Sequence, residues 1–249
     1  TSNGYAVTLE GLPNGKYIFK ESGDAPFTAA DEKTYTVIET EYEFVMKDGK
    51  LDSIRKIVED GEDDSVPTQA NPNASEGYVY ATTGENGKIT MCDAEYISKV
   101  TISKSDITGE NELSGAKLSI TGADGNDKSL EDVTLVQDIP EDSDITNVTN
   151  EAEDGTTKIA WTSNGYAVTL EGLPNGKYIL TETGGTFEDG GIVYSILTSA
   201  YEFEIADGTL GTVKKLGTEE AVPTEKVENA VDSYVYSSGD TITVCDAEY

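Results

Sequence analysis

The sequence contains no histidine, which excludes several classes of chemistry at once. Without an imidazole there is no Ser-His-Asp or Cys-His catalysis, no histidine-ligated metal and no ordinary proton shuttle near neutral pH. Two cysteines are too few for a four-thiolate zinc site. Cys92 and Cys245 occupy equivalent places in two repeats, so each is interpreted as a lone thiol and not as half of an internal disulfide. We predict no metal site and no cofactor.

Basic residues are also scarce, because 17 Lys and Arg stand against 48 Asp and Glu for a formal net charge of −31. Such a chain repels nucleic acid phosphates and anionic membrane surfaces, since both forms of binding need clustered Lys and Arg. No apolar run approaches the roughly 18 residues of a membrane span, and no signal peptide is visible. We therefore expect no nucleic acid partner and no membrane insertion. The acid excess is typical of a solvated, exposed surface.

Helical periodicity is almost absent, and the local pattern is that of strands. Alternating runs rich in β-branched and aromatic residues are separated by Gly, Pro, Asn and Asp turns. With 36% hydrophobic residues the chain can form real cores. The pattern predicts an all-β protein made of tandem antiparallel β-sandwiches of immunoglobulin-like character, the first of them incomplete.

The chain contains about one and a half copies of a repeat. The 18 residues "TSNGYAVTLEGLPNGKYI" occur identically at Thr1–Ile18 and Thr162–Ile179, and "CDAEY" closes each copy. We predict one domain part at 1–96 and a complete domain at 97–249, with an insertion at about 122–157 that contains one hairpin. The first part has no counterpart of residues 97–161. Either those residues have been removed, or another chain supplies them.

Three strands of the second unit each end an apolar face with an ionisable residue. In "KVTISKSD", Val100 and Ile102 lead to Lys104, since alternate side chains of a strand share a face. In the same way "KYILTE" ends its apolar face at Glu182, and "ITVCD" ends at Asp246. One such residue arises easily by chance, because strand ends are often charged. A lysine, a glutamate and an aspartate together indicate a common site.

These segments carry a family resemblance. The order "VTISKSD", "ELSGAKLSI", "IAWTS", "LPNGKYILTET" and "ITVCDAEY" resembles the B-type repeat domain of Gram-positive collagen-binding and pilin proteins, the CnaB or SpaA-like prealbumin-type sandwich. The resemblance covers the second unit outside its insertion and the later part of the first. Aspartate stands at the acceptor position, where many members have asparagine. The proline that usually follows the glutamate motif is absent.

The resemblance implies a spontaneous intramolecular isopeptide bond. Lys104 would be the nucleophile, Asp246 the acyl acceptor and Glu182 the proton shuttle. In the first unit, Glu21 matches the shuttle and Asp93 the acceptor, whereas the lysine has no counterpart. The alternative is an ordinary buried ion cluster of the same side chains.

The expected function is structural: a stalk or pilus-like fibre on the cell wall of a Gram-positive bacterium, with neighbouring repeats of the same protein as partners and no catalytic turnover. The competing interpretation is an adhesin whose insertion binds a host protein or glycan.

Overall fold

The computed structural model describes residues 6–23, 26–29, 33–74, 76–123 and 125–249. Its regular elements in these ranges are all β-strands, which confirms the all-β prediction. The chain divides into two compact units, Thr1–Tyr96 and Ile97–Tyr249, and each is described by itself.

The described residues of the first unit form seven strands in three small sheets. They are β1 (Gly15–Phe19), β2 (Phe27–Thr28), β3 (Thr34–Tyr35), β4 (Tyr42–Lys47), β5 (Lys50–Lys56), β6 (Tyr78–Thr82) and β7 (Lys88–Cys92). The order β1-β4-β5 forms one sheet, while β2 pairs with β3 and β6 with β7. Ile38, Tyr42 and Val79 form its small buried core.

In the second unit the described residues, 97–123 and 125–249, form thirteen strands. They are β8 (Lys99–Asp106), β9 (Ser114–Gly122), β10 (Thr134–Val136), β11 (Lys158–Asn164), β12 (Val168–Glu171), β13 (Gly176–Thr183), β14 (Thr186–Asp189), β15 (Ile192–Ser195), β16 (Tyr201–Ala206), β17 (Thr209–Leu210), β18 (Lys214–Lys215), β19 (Tyr234–Ser238) and β20 (Thr241–Asp246).

These strands form a sandwich of two main sheets. One has the order β10-β12-β8-β20-β19 and the other β11-β9-β13-β16-β17, with β18 also pairing with β16. One continuous hydrophobic core takes side chains from both sheets, among them Ile102 and Leu170 from the first and Trp161, Tyr178 and Phe203 from the second. The predicted β-sandwich is confirmed for this unit.

The first and last strands of the second unit lie side by side and run parallel. Lys104 of β8 is in register with Val244 of β20, and Asp106 with Asp246. The other ladders of the described residues are antiparallel, as predicted. Two parallel neighbours cannot be joined by a short turn, unlike antiparallel ones. Here the rest of the unit lies between β8 and β20 in the chain, and their parallel pairing brings the two ends of the unit together.

Matching Asp-Gly turns fix the register of one hairpin in each unit. Asp48 and Gly49 between β4 and β5 both have positive φ, and so do Asp207 and Gly208 between β16 and β17. Two consecutive positive φ values define the tight turn that suits the twist of a two-stranded ribbon. Both are turns of the Asp and Gly residues that the sequence predicts between the strands.

The segment 122–157, which the sequence predicts as an insertion, packs against the sandwich. Its strand β10 adds to the sheet edge by pairing with β12, and no hairpin forms at this place, contrary to the sequence interpretation. Leu130 and Val133 are buried in the main core. The buried Gln137 side chain donates to Asn164 Oδ1 at 2.8 Å and accepts from the Val148 backbone N–H at 2.9 Å. The segment thus covers one side of the core.

We predict that Leu130→Ala lowers the free energy of unfolding of the second unit by about 2–5 kcal/mol, the usual cost of removing a buried leucine side chain. Guanidinium denaturation followed by the fluorescence of Trp161, the single tryptophan, measures this unit alone. The matched control is Val136→Ala in the same segment, where the side chain is 43% exposed and the change should stay within about 0.5 kcal/mol. Equal effects of the two variants would contradict the placement of this segment in the core.

Candidate functional site

Lys104 is buried because it continues the apolar face of β8. The strand buries Val100, Ile102 and Lys104 in alternation, and the lysine side chain is only 2% exposed. A lysine at this depth cannot extend its amine to solvent. Its partners must therefore come from the neighbouring strands.

The two carboxyl groups reach Lys104 from different sheets. Asp246 ends the buried face of β20, which pairs directly with β8. Glu182 ends the buried face of β13 in the opposite sheet, after Tyr178 and Leu180. The site therefore lies between the sheets at one end of the sandwich, and its three residues are the three that sequence reasoning singled out.

The geometry places the amine in contact with both acids. Lys104 Nζ forms an ion pair with Asp246 Oδ2 and lies 3.4 Å from Glu182 Oε1. The side chains of Glu182 and Asp246 are 1% and 0% exposed. Neither Lys104 Nζ, Glu182 Oε1 nor either oxygen of Asp246 has a partner in hydrogen-bond geometry. These atoms are thus close enough to react and remain poorly satisfied as donors and acceptors.

Burial raises the pKa of Asp246 well above its usual range. The negative charge of Glu182 acts in the same direction, whereas Lys104 opposes the shift. Since desolvation penalises the charged form, a buried aspartate tends towards the neutral acid. Two carboxyls and one amine would leave a net negative charge in the interior if all three were ionised, so the neutral form of Asp246 is favoured.

A hydrophobic ribbon covers the site and was not found from the sequence. Phe187 of β14 and Tyr194 of β15 face each other with ring centroids 5.5 Å apart, and Lys104 Nζ lies 5.7 Å from the Phe187 ring. The residues that follow Asp246 pair with this ribbon, because the Ser195 backbone N–H donates to the Ala247 carbonyl at 3.0 Å. The ribbon therefore shields the reactive atoms from water.

Two further contacts, also missed in the sequence, hold the site in place. The Leu197 backbone N–H donates to Glu182 Oε2 at 2.8 Å, which leaves Oε1 directed towards the lysine. Glu112 accepts from the Lys104 backbone N–H at 3.0 Å and from the Ser103 hydroxyl. Strand β12 pairs with β8 only as far as Ile102, so the Glu112 carboxylate satisfies the β8 edge where its neighbour ends. Both contacts join residues 8 to 15 positions apart, and no periodic pattern marks them.

The first unit repeats half of this arrangement. The Ile38 backbone N–H donates to Glu21 Oε2 at 2.9 Å, as Leu197 does to Glu182. Asp93 lies next to Glu21, and burial together with that neighbouring acid raises the pKa of Asp93 to about 6. Phe27 and Tyr35 face each other in place of the Phe187–Tyr194 ribbon. Within the described ranges of residues 6–96, neither acid forms an ion pair with a basic side chain.

Residues 98–219 match the family model of SpaA, a prealbumin-like fold domain. This part of the chain, just under half of it, is similar to the SpaA family. The match covers most of the second unit, including Lys104 and Glu182, and ends before Asp246. Lys104 and Glu182 of this SpaA-type domain therefore lie within the matched residues. Asp246 lies beyond them on β20, and the fold brings its carboxyl group into contact with the Lys104 amine.

Solved structures similar to the chain include two pilus adhesins. The C-terminal fragment of SpaC from Lactobacillus rhamnosus GG is 19% identical, with 97% of this chain and 78% of that chain covered and a TM-score of 0.43. RrgA from Streptococcus pneumoniae is 16% identical, with coverage of 69% and 20% and a TM-score of 0.35. No curated protein matches the chain.

No group of three or more His, Cys, Asp or Glu side chains among the described residues is arranged to hold a metal ion. No helix in the described ranges is long and apolar enough to cross a membrane.

We predict that the first unit loses stability as the pH rises from about 4 to about 6. Folding raises the pKa of Asp93 from 3.8 to about 6, so between these pH values the folded state binds a proton that the unfolded state has lost. This proton binding stabilises the folded state at low pH, and the stabilisation is lost as Asp93 ionises in the folded state. Carboxyl NMR titration should give a midpoint near pH 6 for Asp93. Glu21→Gln should lower that midpoint, because it removes the neighbouring negative charge. A wild-type midpoint near 4 would refute the burial of this group.

Proposed function

We propose that the SpaA-type domain forms an amide between Lys104 and Asp246 without any other protein, and that this bond makes the domain a load-bearing unit of a bacterial surface stalk. The observation that carries the proposal is the contact of one buried amine with two buried carboxyl groups on the first, middle and last parts of the domain. Glu182 acts as the proton shuttle. The reaction occurs once per domain, and no substrate is turned over.

The burial of the three groups supports a reaction of neutral partners. A neutral Lys104 amine attacks the carboxyl carbon of protonated Asp246, while Glu182 accepts a proton from the nitrogen. Glu182 then returns the proton to the departing hydroxyl of Asp246. One C–N bond forms, one C–O bond breaks and one water molecule leaves. Held in contact in this way, amine and acid can react as if at about 10⁵ M or more.

The amide also removes the electrostatic cost of the site. An ion cluster would keep Lys104, Glu182 and Asp246 charged in an interior where each unpaired charge costs several kcal/mol. Condensation replaces two of these charges by a neutral group with one donor and one acceptor. Four polar atoms of the site lack hydrogen bonds, which favours the covalent product over the simple ion cluster.

The position of the bond suits a mechanical role. It would join adjacent parallel strands at the two ends of the domain, across 142 positions of chain. Closing a loop of this length stabilises the folded state by about 5 kcal/mol in the chain-entropy model. Tension that enters through β8 and leaves through β20 would pass through the amide and bypass the strands between them.

The stalk role places the protein outside the cell, attached to the cell wall of a Gram-positive bacterium, with neighbouring repeats as its partners. The high acidity fits a hydrated surface in that location. The segment 122–157 supplies core residues and an edge strand, so its burial favours a structural part of the domain over a free binding loop of an adhesin.

We predict that the intact mass of the chain is one water molecule below the sequence mass. Lys104→Ala, Asp246→Ala and Glu182→Ala should each restore the full mass, because they remove the nucleophile, the acceptor and the proton shuttle. Mass spectrometry of the denatured protein, followed by proteolysis, measures the loss and locates it.

Lys99→Ala provides the matched control for these variants. Lys99 belongs to the same strand but is 61% exposed and pairs with Glu171 at 2.8 Å, so its replacement should keep the water loss. An unshifted wild-type mass, or a loss that persists in Lys104→Ala, would refute the Lys104–Asp246 amide.

A second prediction concerns force. When the chain is pulled from its two ends, the wild-type domain should not release the residues between positions 104 and 246. Asp246→Ala should release them and add about 500 Å of contour length at 3.3–3.6 Å per residue. Single-molecule force spectroscopy measures this difference, and equal extension of both proteins would exclude a covalent clamp.

A further inference from the structure

The ribbon of β14 and β15 begins and ends at the Glu182 side chain. Glu182 lies in β13, before the ribbon in the chain, and its Oε2 accepts from the backbone N–H of Leu197, after the ribbon, at 2.8 Å. Its other carboxyl oxygen, Oε1, lies 3.4 Å from Lys104 Nζ. Because the hydrogen bond occupies one oxygen, it determines the direction in which the other points. The end of the ribbon therefore sets the position of the proposed proton shuttle.

The same ribbon is held by the residue that follows Asp246. The backbone N–H and the hydroxyl of Ser195 both donate to the Ala247 carbonyl, at 3.0 and 3.1 Å. Ala247 is adjacent to Asp246 in the chain, and Ser195 is two residues from Leu197. A short series of contacts thus connects the proposed acyl acceptor to the proposed shuttle.

A second serine binds the same backbone. The Ala247 backbone N–H donates to Ser233 Oγ at 3.0 Å, and the Ser233 hydroxyl donates to the Ser195 carbonyl at 3.5 Å. Both serines are half-buried. The residue next to the acceptor is therefore fixed at its N–H by Ser233 and at its carbonyl by Ser195.

The first unit makes the equivalent contacts between its own aspartate and glutamate. The backbone N–H and the hydroxyl of Thr36 both donate to the Ala94 carbonyl, at 2.9 and 3.3 Å, and Ala94 follows Asp93. Two residues beyond Thr36, the Ile38 backbone N–H donates to Glu21 Oε2 at 2.9 Å. The aspartate strand is thus connected to the glutamate in the same way in both units.

This recurrence does not follow from similar ribbon sequences. The hydrogen bond to the glutamate spans 15 positions in the second unit and 17 in the first. Between the two bonded residues the chain reads "TGGTFEDGGIVYSI" in the second unit and "SGDAPFTAADEKTYTV" in the first. A hydroxyl residue nevertheless stands two positions before the N–H donor in both. The contact accompanies the pair of acids although the segment that provides it has changed.

We propose that Ser195 is a positioning residue for amide formation, because its contact with Ala247 couples the docking of β20 to the alignment of Glu182. The strand that delivers the acyl acceptor then also sets the direction of the proton shuttle, and the amide forms only once both are in place. Ser233 supports the same contact from the other side of the Ala247 backbone. This inference rests on the proposed function, because it concerns the rate of that reaction.

The rate of water loss tests the role of Ser195. The full chain is made by cell-free translation, portions are denatured at intervals, and mass spectrometry gives the fraction that has lost one water. Ser195→Ala combined with Ser233→Ala should slow this loss about tenfold, because each hydrogen bond that holds the Ala247 backbone contributes a few-fold to the alignment. Ser195→Thr keeps the hydroxyl, as Thr36 does in the first unit, and should retain most of the rate.

Ser98→Ala is the matched control for the two serine replacements. The Ser98 hydroxyl also donates to a backbone carbonyl distant in sequence, that of Leu173, at 2.7 Å, but it lies six residues before Lys104 at the other end of β8. Its replacement should leave the rate of water loss unchanged. The fluorescence of Trp161 shows that each variant is folded.

Hydrogen exchange measures the coupling without the reaction. In a Lys104→Ala chain, where the amide cannot form, the two serine replacements should speed the exchange of the Leu197 amide several-fold, whereas Ser98→Ala should not. If the wild-type chain loses water and the double variant loses it equally fast, or if the exchange of Leu197 does not change, the positioning role is overturned while the proposed function stands. If the wild-type chain loses no water, the proposed function itself fails.

Discussion

The contact of Lys104 with Glu182 and Asp246 is the constraint on which the rest of the second unit depends. Three ionisable side chains occupy an interior position where separate charges would each cost several kcal/mol. They are tolerated only together, since the amine of Lys104 offsets the cost of carboxyl groups that oppose each other's ionisation. The strand order, the aromatic ribbon over the site and the backbone donors at its edge all serve to keep these three groups in contact and away from water.

The parallel ladder between β8 and β20 determines how the contact between Lys104 and Asp246 would carry force. A sandwich whose first and last strands lay on different edges could hold a lysine near an aspartate only through other strands. Here the two strands are neighbours, so the proposed bond between their side chains would connect the first and last strands of the second unit directly. The same register places Asp246 two residues beyond the partner of Lys104, within reach of its long side chain.

The repeated sequence shows that the burial of a segment depends on its tertiary contacts and not only on its local strand preference. Residues 162–179 and 1–18 are identical, yet Leu170 is buried in a strand and Leu9 is exposed outside one. Strand propensity alone does not produce a strand, because the backbone N–H and C=O groups of a strand need a partner strand. The Glu21–Ile38 contact is present in the first unit because its partner lies nearby in sequence, whereas Leu170 lies in a strand because β12 pairs with β8.

The sequence by itself determined which residues share a strand face, and hence that Lys104, Glu182 and Asp246 each end an apolar stripe. It also determined the repeat, the all-β class and the Asp-Gly turns, because these follow from the two-residue period of a strand and from local backbone preference. Only the tertiary structure decided that β8 and β20 run parallel, that β10 is an edge strand and not half of a hairpin, and that Phe187, Leu197 and Glu112 surround the site. The physical reason is that alternation specifies a face but not a neighbour: which strand pairs with which is set by the burial of the whole core.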